Sequence, residues 1–363
     1  MIKNLILFLI FFTAIIASCQ NEQEKEKSKQ MEEKFEWSPG IGADSLYPME
    51  KYRCNFVFAD GDGVSPASST LTGGTWGEEN GSSVVGEHEK PIPVALEISW
   101  LSYTENKFYG GHFKLPYEKI LKLFQKGYQV LVKEDDGTMH LIQDNYHGIT
   151  AGLAPGGIIV VWLIGGDFTT EVDRFQAEET KIDMKDFAPS AWTHDQNKYV
   201  DGMMDEDKAV KENLEKNGIP LGLWDRYSKR FNQRPLVKFD QTKNVTLDNI
   251  TLMYYNGEKE IINSEKWQKN EFKSRARVKK IGIGWKGMIG NKSQYYILDI
   301  NFNKTEIFKT YKEAYAEKPD QMGQLLVEIN AVNDHYSVFL KVGEKKIKLV
   351  KYQGEIMFNN RNK

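Results

Sequence analysis

What most restricts how this chain can fold is a repetition. The stretch ISWLSYTENKFYGGHFKLPYEKILKLFQKGY, from Ile98, and the stretch IGWKGMIGNKSQYYILDINFNKTEIFKTYKEAY, from Ile283, follow one plan. Each reads Ile-x-Trp, a turn with Asn-Lys, an aromatic strand and a short helix, so Trp100 falls opposite Trp285. Further on, VWLIGGDFTTEVDRFQAE from Val161 aligns without a gap to VFLKVGEKKIKLVKYQGE from Val338. Val161 meets Val338, Leu163 meets Leu340, Gly166 meets Gly343 and Gln176 meets Gln353. A recurring order of strand, strand, helix, strand, strand predicts two copies of one supersecondary unit. A sheet with one apolar face needs a cover, and a helix on that face is the two-layer solution. The expected fold class is therefore α+β, β-rich overall: two related modules of antiparallel β-sheet, each with a short covering helix. Eight Trp, 17 Tyr and 19 Phe supply the bulky rings that strands favour.

The first residues, MIKNLILFLIFFTAIIASCQ, place Lys3 before an apolar run from Leu5 to Ala17. The run is shorter than the roughly 20 residues of a membrane-spanning helix and fits the apolar core of a signal peptide. Ile16-Ala17-Ser18-Cys19 resembles the lipobox of bacterial lipoproteins. That resemblance implies cleavage before Cys19, then lipid attachment to its sulfur and acylation of the new amine. Several acyl chains hold a protein stably where one does not. Residues 1–18 are then a signal peptide and 19–34 a flexible tether, because QNEQEKEKSKQMEEK has too little apolar surface to fold. An isolated charged helix would serve the same end. The residue after the Cys is Gln20 and not the Asp that resembles an inner-membrane retention signal, so the outer membrane is the expected address, on either face. The first module is expected over 35–180, a partly helical linker over 181–234 and the second module over 235–363.

Phe35 to Pro48 reads as irregular, because Pro39, Gly40, Gly42 and Pro48 interrupt it. A strand over Tyr52–Ala59 ends in a turn at Asp60-Gly61, and Val94–Tyr103 with Lys107–Leu115 form a hairpin about Glu105-Asn106. A helix is predicted over Tyr117–Lys126, entered at Pro116, stopped at Gly127, with Ile120, Leu121 and Phe124 on one face. Another spans Asp205–Asn217, ended by Gly218 and Pro220. The bend Ala154-Pro155-Gly156-Gly157 before IIVVWLI reads as a turn, not a phosphate cradle. It lacks the Lys-Ser/Thr of a P-loop, and no helix follows to hold an anion at its N-terminus. Its counterpart, Val332-Asn333-Asp334-His335, keeps the position without the glycines.

Chemistry is sparse. A net charge of −3 without a concentrated basic face gives no support for nucleic-acid binding. With Cys19 acylated, Cys54 has no disulfide partner, and in YRCNFVF it reads as a small buried residue. The six His show no metal-ligand spacing, and neither H-E-x-x-H nor G-x-S-x-G occurs. No metal, cofactor or catalytic residue is assigned. Asp60-Gly61-Asp62-Gly63 is no calcium loop, because Val64 and Leu71 fill the fifth and twelfth positions. The loop GGTWGEENGSSVVGEHE carries the candidate binding surface: Trp76, Glu78 and Glu79. An exposed aromatic beside acids suits a sugar or protein partner. The competing reading folds Trp76 back to plug the sheet. Arg226, Lys229, Arg230 and Arg234 form either a basic spot or a solvated helix face.

As a set, SYTENKFYGGHFKLPYEKI, GLAPGGIIVVWL, the Gly165-Gly166 turn and RFQAEE are similar to a bacterial lipoprotein family, domain of unknown function 2931. The similarity covers most of the mature chain and is closest from Phe35 to Glu179. It implies an envelope location and transfers no catalytic residue. The expected function is a non-catalytic binding module for a protein or glycan partner, with an immunity protein that masks a toxin as one form. The alternative is a hydrolase of envelope sugars or peptides, with two facing carboxylates in a cleft near Trp76 or Trp192. A purely structural role would instead show one broad apolar patch.

Overall fold

The computed structural model describes residues 24–68, 70–71, 76–78, 87–133, 139–205, 207–240, 245–263, 271–289 and 292–359. Its organising element is the strand Ile158–Ile164, all seven residues of which are buried. Successive strand side chains point to opposite faces, so a wholly apolar strand must be covered twice. Ile159, Val161 and Leu163 enter one core with Trp100, Phe56 and the helix residues Ile120, Leu121 and Phe124. Ile158, Val160, Trp162 and Ile164 enter a second core with Trp224, Ile250, Ile281 and Trp285.

The architecture is α+β and β-rich. A ten-stranded sheet runs in the order Ser38–Ala43, Gly148–Ala154, Ile158–Ile164, Thr169–Gln176, Lys259–Asn263, Thr246–Tyr254, Val278–Ile289, Lys292–Phe302 and Tyr352–Gln353, with Ile356–Asn359 also paired to Lys292–Phe302. The N-terminal and C-terminal parts of this sheet join through one residue pair, Thr169 with Lys259. A six-stranded sheet is built on Met49–Val57, Ala95–Ser102 and Lys107–Lys114. A five-stranded sheet follows the order Lys273–Arg275, Phe231–Phe239, Gly323–Ile329, Tyr336–Val342 and Lys345–Leu349.

The wiring of the two halves corresponds strand for strand. Ser38–Ala43 pairs parallel with Gly148–Ala154, and the next two strands follow antiparallel. Phe231–Phe239 pairs parallel with Gly323–Ile329, again followed by two antiparallel strands. Each half also has an antiparallel trio holding its tryptophan. Trp100 faces Tyr109 with ring centroids 5.6 Å apart, and Trp285 faces Tyr296 at 5.3 Å. Beside each tryptophan the neighbouring strand bulges, skipping Tyr52 opposite Trp100 and Asp248 opposite Trp285. A bulge adds local twist and re-aims side chains.

Several local expectations change. Residues 38–43 form a strand, not an irregular segment. Pro39 is tolerated because this strand lies at the sheet edge. Gly40 is required by close packing, since a Cβ there would lie 2.3 Å from Thr150 Oγ1. Each half thus carries a parallel pair inside its otherwise antiparallel pairing. Residues 24–32 of the expected tether are helical and largely exposed. The segment 181–234 holds the helices Met184–Phe187, Gln196–Asp205, Lys208–Asn217 and Leu223–Ser228. The helix expected from Asp205 begins at Lys208, because Asp207 caps it by accepting the Val210 N–H at 3.1 Å. The next strand starts at Phe231, so Arg230 and Arg234 do not share a helix face with Arg226.

The glycine bend is a turn between buried strands. Gly156 and Gly157 have φ of 80° and 75°, the left-handed region that glycine enters without strain. Glu105 pins the bend, its carboxylate accepting the Gly156 N–H at 3.0 and 3.1 Å and the hydroxyls of Ser102 and Tyr109.

Trp162→Ala is expected to cost about 3–5 kcal/mol in urea unfolding, because it empties a fully enclosed site. The aligned Phe339 is only half-buried, so Phe339→Ala should cost about 1 kcal/mol or less in the same measurement.

Candidate functional site

Between the halves lies a crevice of about 670 Å³. That size is within the range of small-molecule and peptide-side-chain sites. From the first half it is lined by Tyr128, Gln129, Gln143, Tyr146 and Phe168, and from the second by Glu260, Glu271, Lys273 and Arg275. Its floor is aromatic and fixed. Tyr128 lies 4.6 Å from Phe168 and 5.3 Å, edge-on, from Tyr146. The Tyr128 hydroxyl donates to the Asn145 carbonyl and accepts the Gly166 N–H, both at 3.0 Å. The strand order puts these rings here: Gly127 ends the helix Tyr117–Lys126 in a left-handed conformation and turns the chain into Tyr128.

The opposite wall is ionic. Arg275 Nε lies 2.5 Å from Glu260 Oε1, and the Tyr254 hydroxyl donates to the same oxygen. Burial works to raise the Glu260 carboxyl, but the charge and hydrogen bond of Arg275, with the Tyr254 hydroxyl, hold it below its ordinary value of 4.5. Arg275 also donates to the Gln233 carbonyl at 2.6 Å, and Tyr311 donates to the Gln233 side chain. A satisfied network of this kind is rigid. The crevice therefore offers a fixed apolar floor and a rim of amides and charges of both signs.

A second carboxylate pair, Glu171 and Glu258, clasps the same junction outside the crevice lining. Glu171 accepts from Asn256 Nδ2 at 2.7 Å and Ser228 Oγ at 3.2 Å. Glu258 accepts the backbone N–H of Glu171 at 3.1 Å and pairs with Arg230 at 2.7 Å. Burial raises the Glu171 carboxyl, with Glu258 adding to the rise and Asn256 opposing it. First half, linker and second half each contribute a residue to this clasp.

The sequence-derived candidates scatter. Trp76 is half-buried, packed edge-on against Trp162 at 4.8 Å and against Trp224 at 6.0 Å. Gly77 follows it into the junction, where a Cβ would lie 2.2 Å from the Gly257 Cα. Glu78 is exposed, while Glu79 and Cys19 lie outside the described residues. Trp192 is 69% exposed and is no part of the crevice. Cys54 is buried, which pushes its thiol up to about 12. The imidazoles of His88, His112 and His335 each sit beside one exposed carboxylate, Glu36, Glu97 and Asp334. Among the described residues, no group of three or more His, Cys, Asp or Glu is placed to hold a metal ion. Sequence reasoning missed the crevice.

Two similarly wired α+β halves with a crevice between them define the class of scaffold. The chain belongs to the protein family of unknown function DUF2931, which matches residues 20–222, more than half of its length. No curated protein and no solved structure matches it.

The two buried acids give opposite pH signatures. The folded-state value of Glu171 lies above its unfolded one, so its contribution is present at low pH and is lost as pH rises through the raised value. Glu171→Gln should therefore gain on the wild type as pH rises from about 4 to 8. The folded-state value of Glu260 is depressed, so its contribution is present above the unfolded value and is lost as pH falls. Glu260→Gln should lose most against the wild type at neutral pH. Urea midpoints across pH check both signs.

Proposed function

We propose that this protein is a lipid-anchored envelope protein that works as a non-catalytic binding module, holding a protein or glycan partner in the crevice between two copies of one unit. The observation that carries this reading is the crevice itself: a rigid aromatic floor with a mixed polar and charged rim at the joint of two units. Binding sites favour such joints, and a polar rim round an apolar centre is the anatomy of recognition surfaces. Duplication is supported by the matching strand order, the paired bulges and the paired tryptophans. An immunity role, with the partner an incoming toxin, is one form of this function. The anchor reading rests on Cys19 after its apolar leader; no helix among the described residues is long and apolar enough to cross a membrane.

A hydrolase reading draws on Glu171, whose raised carboxyl could carry a proton beside Glu258. Against it, Glu171 Oε2 already accepts from two protein donors and Glu258 Oε1 is held by Arg230.

Two measurements test the proposal. Cys19→Ser should move the protein from the membrane fraction to the soluble fraction; a variant that stays with the membrane overturns the anchor. The soluble mature chain should recover a stoichiometric protein or glycan from envelope extracts, and Gln129→Arg on the exposed rim should lower that recovery at least tenfold. Recovery that is unchanged in Gln129→Arg removes the crevice from the function.

A further inference from the structure

We infer that the chain carries a second binding site, for an oxyanion group, formed by Arg226, Arg277 and Lys304. None of the three lines the crevice.

Two arginines of similar burial make the argument. Arg275 and Arg277 are each 5% exposed. Arg275 has its counter-ion, Glu260, at 2.5 Å. Arg277 has no carboxylate partner among the described residues, and its Nε has no hydrogen-bond acceptor. Its Nη1 donates to the Arg226 carbonyl at 2.6 Å, and its guanidinium lies over the rings of Phe308 and Phe231 at 4.4 and 4.7 Å. Ring faces offset part of the cost of burying a cation; an uncompensated buried charge remains expensive. Burial lowers the Arg277 group to about 10, with Tyr311 opposing and the Arg226 charge adding to the fall.

The neighbourhood is itself cationic. Lys304 opens the helix Lys304–Ala314, and its Nζ lies 5.0 Å from the Tyr227 ring. Burial lowers the Lys304 ammonium, Asp44 opposes that shift and Arg226 deepens it. Asp44 keeps its charge while it accepts the Leu46 N–H at 3.0 Å, so against the three cations Arg226, Arg277 and Lys304 it leaves the neighbourhood net positive. The acid beside Arg226, Asp225, is spent on Arg174. Lys304 and Arg226 are exposed and make no ion pair among the described residues. The ligand would touch these two; Arg277 behind them supplies charge through a low-dielectric layer and fixes the Arg226 backbone. Because cations already cover the rings of Tyr227, Phe308 and Phe231, little aromatic face is left for a sugar ring, and recognition falls to charge. Carboxylate and phosphate share that chemistry.

The test is thermal unfolding of the mature chain in sodium phosphate or sodium glutarate, against sodium chloride at equal ionic strength. A saturable rise in Tm is expected with at least one of the two anions, since a ligand bound only to the folded state stabilises it. A response to phosphate alone identifies a phosphate-bearing ligand, and a response to glutarate alone identifies an acidic peptide or sugar acid. Lys304→Gln and Arg226→Gln, both on the surface, should each weaken the response at least tenfold, while the exposed Lys216→Gln leaves it unchanged. Arg277→Met should abolish the response without lowering Tm in chloride, because it removes an unpaired buried charge. No saturable rise with either anion, or a rise that survives the Lys304→Gln/Arg226→Gln double variant, overturns the site. Gln129→Arg should keep the anion response, which separates this site from the crevice.

Discussion

Seven consecutive residues without a polar face, Ile158–Ile164, impose most of what surrounds them. One side of the strand is met by the six-stranded sheet and the helix Tyr117–Lys126 through a core that draws only on the first half. The other side has to be met by something else, and the second half with the linker helix Leu223–Ser228 supplies it. The indole of Trp162 reaches furthest across, donating to the Asn256 carbonyl at 3.0 Å. Gly152 on the adjacent strand leaves the room: a Cβ there would lie 2.2 Å from the Trp162 ring. The crevice and the Glu171–Glu258 clasp lie where this strand draws two units together while, among the described residues, their shared sheet meets in one residue pair.

Much of this was legible in the sequence where the signal is local. Pro116 and Gly127 bracket the helix Tyr117–Lys126 to the residue, because a ring-fixed φ at the start and the freedom of a residue without Cβ at the end are properties of those two residues alone. The hairpin about Glu105-Asn106 follows from alternation and a turn, and Asn106 adopts a φ of 52° there. The strand Ser38–Ala43 was illegible, because its proline and glycines act as breakers unless an edge position and a close neighbour are known, and both come from a strand about 110 residues away. The helix Gln196–Asp205 lacks an acid in its first turn and a base in its last; the one mark of its start is Asp195, whose carboxylate accepts the Lys198 N–H at 3.2 Å, a short polar residue that serves a turn equally well.

The site was less legible than the fold, for a physical reason. Tyr128, Phe168, Glu260 and Arg275 meet only after the halves dock, and no spacing along the chain encodes a docking. Trp76 follows the competing reading, in which the ring folds back onto the sheet. A tryptophan in a glycine-rich polar loop reads as a displayed ring, yet Gly77 against Gly257 lets the loop dive inward and its indole join Trp162 and Trp224. The same glycines that suggest a free loop permit a close approach of backbones.

The two-sided strand bears on shorter chains of this kind. The family match ends at residue 222, one residue before the helix Leu223–Ser228 begins. A polypeptide that stopped there would keep its inner core but lose the second-half cover of Ile158, Val160, Trp162 and Ile164, with Trp76 left as the main ring against that stripe. Such a fragment would have to dimerise through that stripe or borrow a lid from another protein, so the C-terminal half acts toward its N-terminal neighbour as a tethered partner subunit.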